Sequence, residues 1–475
     1  IEIFEEINGV EDILKQDPAE VYDKMDYKTK IEYRNKIKEI SKKTKISEIY
    51  IAKKALELAQ NTKKLGEEEQ FIENKKTHIG YYILSDGKKE LLEMLTEKKV
   101  KIFSNNTKVK LYVASIITFT LLITIAISFV FYQSTKLLLP TILLGILLLL
   151  PIENIVVQVI QTILGKIVKP KLIPKMYFEK EVPKEYATFV VIPTIVKNAD
   201  KVKEMMKKLE VYYLANKSEN LYFALLGDCS SGKNETEIFD QEVIEAGLQM
   251  TKKLNQKYAK SEFPKFHFLY RARTWNAKEE CYLGWERKRG LLNQFNEIVL
   301  TNMQEKPINK ELQDNNMEQE EKNAKKFIIP KEWFQVNTLE NIKIPFIRYV
   351  ITLDADTELT LNSGLELIGA MAHILNKPIL NTSKNLVIEG HGMMQPRIGI
   401  DLEASNKSIF TKIYAGSGGT DAYTNAISDI YQDNFEEGIF TGKGIYDLEV
   451  FSTIMKKEIP ENTVLSHDLL EGNYL

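Results

Sequence analysis

Along residues 1–108, apolar positions recur at helical spacing in a Lys- and Glu-rich background. Ile37, Ile40, Ile46, Ile49, Ile51, Ala55, Leu56 and Leu58 mark short amphipathic helices. Asp17-Pro18-Ala19-Glu20 sets a proline behind a capping residue, where a helix can begin. The region predicts a helical bundle and names no chemistry. The pattern then breaks. Leu111–Tyr132 is 22 residues without a charge, long enough to cross about 30 Å of hydrocarbon. After Gln133-Ser134-Thr135-Lys136 a second apolar run covers Leu137–Ile152, interrupted by Pro140 and Pro151. Together the runs predict a transmembrane hairpin. Ile155–Ile167, apolar with glutamines, predicts an amphipathic helix lying in the membrane interface.

From residue 186 the periodicity alternates between strand and helix. Ala187–Pro193 is a buried strand, Ala199–Leu214 a helix, Leu221–Leu226 a second strand and Phe266–Arg271 a third. Tyr349–Leu353 is a further strand, Leu361–Leu375 a helix and Gly390–Arg397 a strand. Alternation of this kind predicts an α/β fold, half of a nucleotide-binding unit, with ligands at the carboxyl ends of the strands. The domain reading is therefore 1–108 helical, 109–180 hairpin and interfacial segment, and 181–475 α/β, with a charged insertion at 302–326.

Candidate chemistry gathers at the strand ends. Tyr349–Leu353 runs into Asp354-Ala355-Asp356, and alternate residues of a strand share a side, so the two carboxylates emerge together. Hard oxygen ligands in that arrangement suit Mg²⁺ or Mn²⁺ shared with phosphates, although the same pattern also opens calcium loops. Asp228 ends the second strand and reads either as an acceptor for ribose hydroxyls or as a helix cap. Arg287, Lys288 and Arg289, around Trp285 and Gly290, read as diphosphate neutralisers or as a solvated helix start. Two Gly-rich stretches, 416–421 and 438–444, let backbone approach a ligand, without the spacing of a P-loop. Asp468, in Ser466-His467-Asp468, reads as a helix cap or a general base.

Net charge of −2 argues against a nucleic-acid partner. Lys98, Lys99, Lys101, Lys108 and Lys110 precede the apolar runs, and Lys166, Lys169, Lys171 and Lys175 follow them, which predicts both flanks on the cytoplasmic side. Cys229 and Cys281 form no framework and fit a reducing compartment. The chain opens on Ile1-Glu2-Ile3 without an initiator Met, as expected for part of a longer protein.

Taken together, Asp17–Tyr22, Tyr33-Arg34, Ala55–Ala59, His78–Tyr82, Gly284–Gly290, Ile351–Thr357, Gln395-Pro396-Arg397, Tyr431-Gln432-Asp433 and Phe440–Tyr446 closely resemble cyclic β-1,2-glucan synthases. These are glycosyltransferase family 84 enzymes, of GT-A type and related to processive family 2 transferases. The resemblance implies a GT-A (Rossmann-like) domain that polymerises glucose from UDP-glucose with Mg²⁺ or Mn²⁺, inverting the anomeric centre, while C-terminal domains of a full-length protein cyclise the β-1,2-glucan. It implies Asp356 as metal ligand, with Asp354 holding ribose or the ion, and Asp468 as catalytic base. It implies Asp228 near Pro193 and Thr194 for the nucleoside, with Lys288 or Arg289 close to the uracil or phosphates. A growing glucan linked to a protein tyrosine points to Tyr423, then Tyr431. A Gln/Arg-x-x-Arg-Trp motif found in processive relatives is missing after Asp468, so activity of this stretch alone stays open. Another processive β-glucan synthase and a non-catalytic membrane scaffold are the rival readings; four carboxylates, Asp228, Asp354, Asp356 and Asp468, count against the scaffold.

Overall fold

A computed structural model describes residues 9–61, 75–100, 105–168, 170–179, 181–258, 263–304, 333–381, 383–399, 405–414, 430–435, 438–455, 458–464 and 467–475. The chain divides into two compact units. The first contains residues 1–96, 173–396 and 439–475; the second contains 97–172 and 397–438.

In chain order the N-terminal helices are α1 (Gly9–Leu14), α2 (Tyr27–Thr44), α3 (Glu48–Gln60), α4 (Ile79–Leu84) and α5 (Lys88–Thr96). Asp26 caps α2 by accepting from Thr29 N at 2.9 Å, and Ser47 caps α3 by accepting from Tyr50 N at 3.3 Å. Tyr22, Tyr33, Ile37, Ile51, Ala55 and Ile79 form their shared core. The helix expected at Asp17-Pro18 does not start there. The Asp17 carboxylate is instead buried, accepting from His78 Nδ1 at 2.7 Å, Ile79 N at 2.8 Å and Val21 N at 3.1 Å.

The second unit holds α6 (Asn105–Thr135) and α7 (Leu138–Ile167). Both are long and apolar enough to cross a membrane, with mean hydropathy 2.4 and 2.3 and only 11% of the most apolar stretch buried. They pack closely at Gly145, where a Cβ would stand 3.1 Å from Ser128 Oγ. The expected separate interfacial segment is a continuation of α7, which passes through Pro151. Pro140 lies in the first turn, where its missing N–H has no partner to lose.

The α/β part begins with β1 (Thr188–Val196), α8 (Ala199–Ala215), β2 (Leu221–Cys229), α9 (Asp240–Lys257) and β3 (Phe266–Arg271). A hairpin of β4 (Thr274–Asn276) and β5 (Cys281–Leu283) leads to α10 (Arg287–Asn302), β6 (Phe334–Asn337), β7 (Tyr349–Thr352) and α11 (Ser363–Ala372). Then come β8 (Ile379–Asn381), β9 (Leu386–Glu389) and β10 (Met393–Met394). In the second unit lie α12 (Ile409–Tyr414) and α13 (Ile430–Phe435), before β11 (Gly444–Asp447), α14 (Leu448–Met455) and α15 (Asp468–Tyr474) in the first. Of the strand expected over Gly390–Arg397, only Met393–Met394 pairs. Most of the charged insertion lies outside the described residues.

Seven strands form one mixed sheet in the order β10-β11-β7-β1-β2-β3-β6. The four central strands are parallel, with β11 antiparallel to β7 and β6 antiparallel to β3. Alternation along β1 sends Val190 and Ile192 to one core and Phe189 and Val191 to the other. Helices cover both faces, which is why these strands read as continuous apolar runs. Pro193 is tolerated in this central strand because β7 pairs only as far as Val191↔Thr352. Its nitrogen turns to the side that β7 has already left.

Candidate active site

The chain steps from β1 outward to β2 and β3, then crosses back to place β7 on the other side of β1. Loops that leave β1 and β7 therefore diverge, and in open α/β sheets that switch point opens a crevice at the carboxyl ends of the strands. Asp354 enters it directly after Leu353, whose N donates to Val191 O at 3.0 Å.

Asp354 is half-buried between two ammonium groups. Lys288 Nζ donates to its Oδ1 at 2.7 Å, and Lys443 Nζ lies 3.3 Å from Oδ2. Lys288 also donates to Gly442 O at 2.9 Å, which ties the start of α10 to the loop before β11. Gly442 has φ +81, and a Cβ on it would stand 2.6 Å from Asp468 Oδ1 and 2.8 Å from Oδ2. Asp354, Lys288, Gly442 and Asp468 thus meet in one place. They come from four separate parts of the sequence.

Asp468 opens α15, and its Oδ1 is buried without a hydrogen-bond partner among the described residues. The side chain as a whole is 23% exposed, so the rest of the carboxylate can meet a ligand and receive its proton. Beside it, His467 Nδ1 donates to the buried Glu471 at 2.8 Å and lies 3.7 Å from Asp468 Oδ1. Ligand atoms of these three residues lie within 4.8 Å of one another, but His467 and Glu471 are already paired. Asp356 differs from all of them: it is exposed and, among the described residues, carries one long hydrogen bond, from Thr357 Oγ1 at 3.4 Å. Between the two aspartates, Asp356 has the oxygens open to a divalent ion, whereas Asp354 is held by lysines. That set of donors fits a hard cation.

Asp228 lies inside β2 rather than in the loop after it, opposite Ile195 of β1. It is 3% exposed. Burial raises its carboxyl pKa, against the opposing pull of the Arg271 and Arg287 guanidinium groups. Arg271 ends β3 fully buried, 3.5 Å from Asp228 Oδ1 through Nη1 and donating from the same nitrogen to Arg287 O at 2.7 Å. Its Nε and Nη2 have no partner among the described residues. Gly284 and Gly290 close over the pair. A Cβ at Gly284 would stand 2.1 Å from Asp228 Oδ1, and one at Gly290 would stand 2.9 Å from Arg271 Nη2.

Arg289 is buried in an ion pair with Glu286 and donates to Ile459 O at 3.1 Å, so its guanidinium is not presented with Lys288. The spacing explains this, since adjacent residues of a helix point about 100° apart. Tyr423 lies outside the described residues. Tyr431, in α13 of the second unit, packs its ring edge-on to Tyr112 with centroids 6.4 Å apart. Pro193 is buried in β1, with Thr194 more exposed beyond it. Sequence reasoning did not single out Arg271, Lys443, His467 or Glu471 as site residues. Arg271 could have been found by the logic used for Asp228, a polar residue closing a buried strand.

Fold and site define a mixed α/β protein with a cleft of carboxylates and lysines at the switch point of its sheet. No protein-family model matches the chain. Against curated proteins, it is 30% identical over 479 residues, 99% of its own length, to the cyclic beta-(1,2)-glucan synthase NdvB of Rhizobium meliloti (strain 1021). It is a cyclic glucan synthase-related protein, and it spans 16% of that relative's length.

Proposed function

We propose that this chain is the glucosyl-transfer part of a membrane-bound inverting synthase of GT-A type, which extends β-1,2-glucan from UDP-glucose. The convergence of Asp354, Lys288, Gly442 and Asp468 at the switch point carries the reading. The nucleoside lies along the carboxyl ends of β1 and β2, where Asp228 accepts from ribose hydroxyls or a base N–H. Lys288 and Lys443, fixed on either side of Asp354, turn toward the diphosphate and neutralise it. Mg²⁺ or Mn²⁺ bound at Asp356 would add a Lewis acid for the departing UDP.

UDP-glucose is an α-glycoside and the glucan is β-linked, so a single displacement accounts for the product. The acceptor 2-hydroxyl oxygen forms the new bond to C1 as the bond from C1 to the phosphate oxygen breaks. UDP leaves with the electron pair. The proton of the acceptor hydroxyl passes to the Asp468 carboxylate, whose side chain is partly exposed. Glu471 fixes the His467 ring beside that carboxylate. Helices α6 and α7 would anchor the unit in the inner membrane, with the transfer site on the cytoplasmic side. Cyclisation, and any tyrosine that primes the glucan, belong to the longer protein.

The test is UDP release from UDP-glucose with Mg²⁺ or Mn²⁺ by the full-length membrane protein, followed by digestion with a β-1,2-specific glucanase. Digestible product that disappears in Asp468→Asn, with UDP still bound, supports the reading. A resistant product overturns the linkage, and no release overturns the enzyme in favour of a scaffold.

A further inference from the structure

One face of α8 reaches into the loop that carries the two aspartates. Lys208 and Tyr212 of α8, and Asn216 that caps its C-terminus, are spaced four residues apart, which brings all three to that side. Each donates to a backbone carbonyl of the loop after β7. Lys208 Nζ donates to Ala355 O at 2.7 Å, Tyr212 Oη to Thr357 O, and Asn216 Nδ2 to Thr360 O at 3.2 Å. Asn216 Oδ1 also accepts from Gly364 N at 2.8 Å, and Asn362 N donates to Ala215 O at 3.0 Å. Loop and helix thus run side by side with their polar groups paired.

Tyr212 is 2% exposed and Asn216 fully buried, so the donor side of these bonds is buried while the loop carbonyls stay partly open. Lys208 is only half-buried, and burial lowers its pKa against the pull of Glu358 and Asp356. No other feature of α8 asks for a lysine on its inward side. Its neighbours there, Met205, Met206 and Leu209, are apolar core. The carbonyl that Lys208 holds belongs to Ala355, the residue between Asp354 and Asp356. Fixing that peptide fixes the directions in which both carboxylates leave the backbone.

We propose that Lys208, Tyr212 and Asn216 are positioning residues that set the cation affinity of Asp356 by pinning the backbone of its loop. The inference rests on the reading of Asp356 as the cation ligand. Groups one step behind a metal ligand typically change affinity 10- to 100-fold when removed. The ammonium of Lys208 also stands near Asp356, so charge alone predicts the opposite sign. Removing a cation would tighten binding of another cation.

The experiment is a Mn²⁺ titration of the full-length protein without donor, read by loss of the free-ion electron paramagnetic resonance signal. Asp356→Ala should abolish binding; if the wild type binds no Mn²⁺, the parent reading falls and this inference falls with it. Lys208→Met should weaken Mn²⁺ binding about tenfold at an unchanged thermal midpoint, and Lys208→Arg, which can still donate to Ala355 O, should restore most of it. Tyr212→Phe should weaken binding in the same direction. Unchanged or tighter binding in Lys208→Met, with Mn²⁺ bound normally by the wild type, would overturn the positioning role while leaving the parent reading intact.

Discussion

Gly442 and the carboxyl group of Asp468 are in contact, with no room for a methyl group between them. Gly442 also has φ +81, a region where an L side chain is strained. In Gly442→Ala both effects act together. The backbone cost is about 1–2 kcal/mol, and the added carbon must push the Asp468 carboxylate aside. Displacement by about 1 Å from a reacting position costs on the order of 100-fold in rate. Gly442→Ala should therefore lose about two orders of magnitude of UDP release while its thermal midpoint drops by only a few degrees. A variant with near-normal turnover would remove Asp468 as the base.

Donor binding should depend on pH through Asp228. Burial raises its pKa above the ordinary 3.8, against Arg271 and Arg287. The ionised acceptor is thus lost as pH falls through a value higher than that of a free aspartate. UDP affinity should decline on acidification before pH 3.8 is reached, and Asp228→Asn should bind more weakly with a flatter pH profile. Titration of UDP into the full-length protein over a descending pH series measures both. A wild-type profile parallel to that of Asp228→Asn would dissociate Asp228 from the donor.

Asp17, His78 and Tyr33 form a buried chain, with Asp17 Oδ2 2.7 Å from His78 Nδ1 and Tyr33 Oη 2.7 Å from His78 Nε2. Breaking a buried pair by removing one partner typically costs about 3–5 kcal/mol. Asp17→Ala should lower the thermal midpoint markedly and leave the catalytic residues untouched. Burial raises the Asp17 pKa, but hydrogen bonds and the His78 charge outweigh it, and the net shift is downward. With a depressed folded pKa, the contribution of Asp17 is present above pH 3.8 and is lost as pH falls through the lower folded value. The gap in midpoint between wild type and Asp17→Asn should stay constant from pH 7 to 4 and close only below that. A gap that closes near neutrality would assign the effect to another group.

Much of this fold is legible along the chain because burial on two faces writes itself as apolar runs. Phe266–Arg271 is predicted and observed with the same limits. Asp354 and Asp356 announce themselves by following such a run. The ends of elements are less legible. Strand β2 continues to Cys229 because β1 pairs with it through Val196↔Cys229, a partner 33 positions away that no local pattern reveals. α7 continues through Pro151 where sequence suggested a break, because one missing N–H does not end a helix of this length.

Which residues are apolar, and at what period, is written along the chain, and with it the strands, the two long helices and the carboxylates at strand ends. Which cations serve those carboxylates is set by packing. Lys288 and Arg289 are neighbours in sequence, yet one meets Asp354 and the other pairs with Glu286. A helix turns them apart, and packing of α10 against the sheet chooses between them. Lys208 and Ala355 are likewise joined only because α8 lies beside the loop after β7. Periodicity records whether a side chain is buried; it carries no record of the distant group that side chain meets.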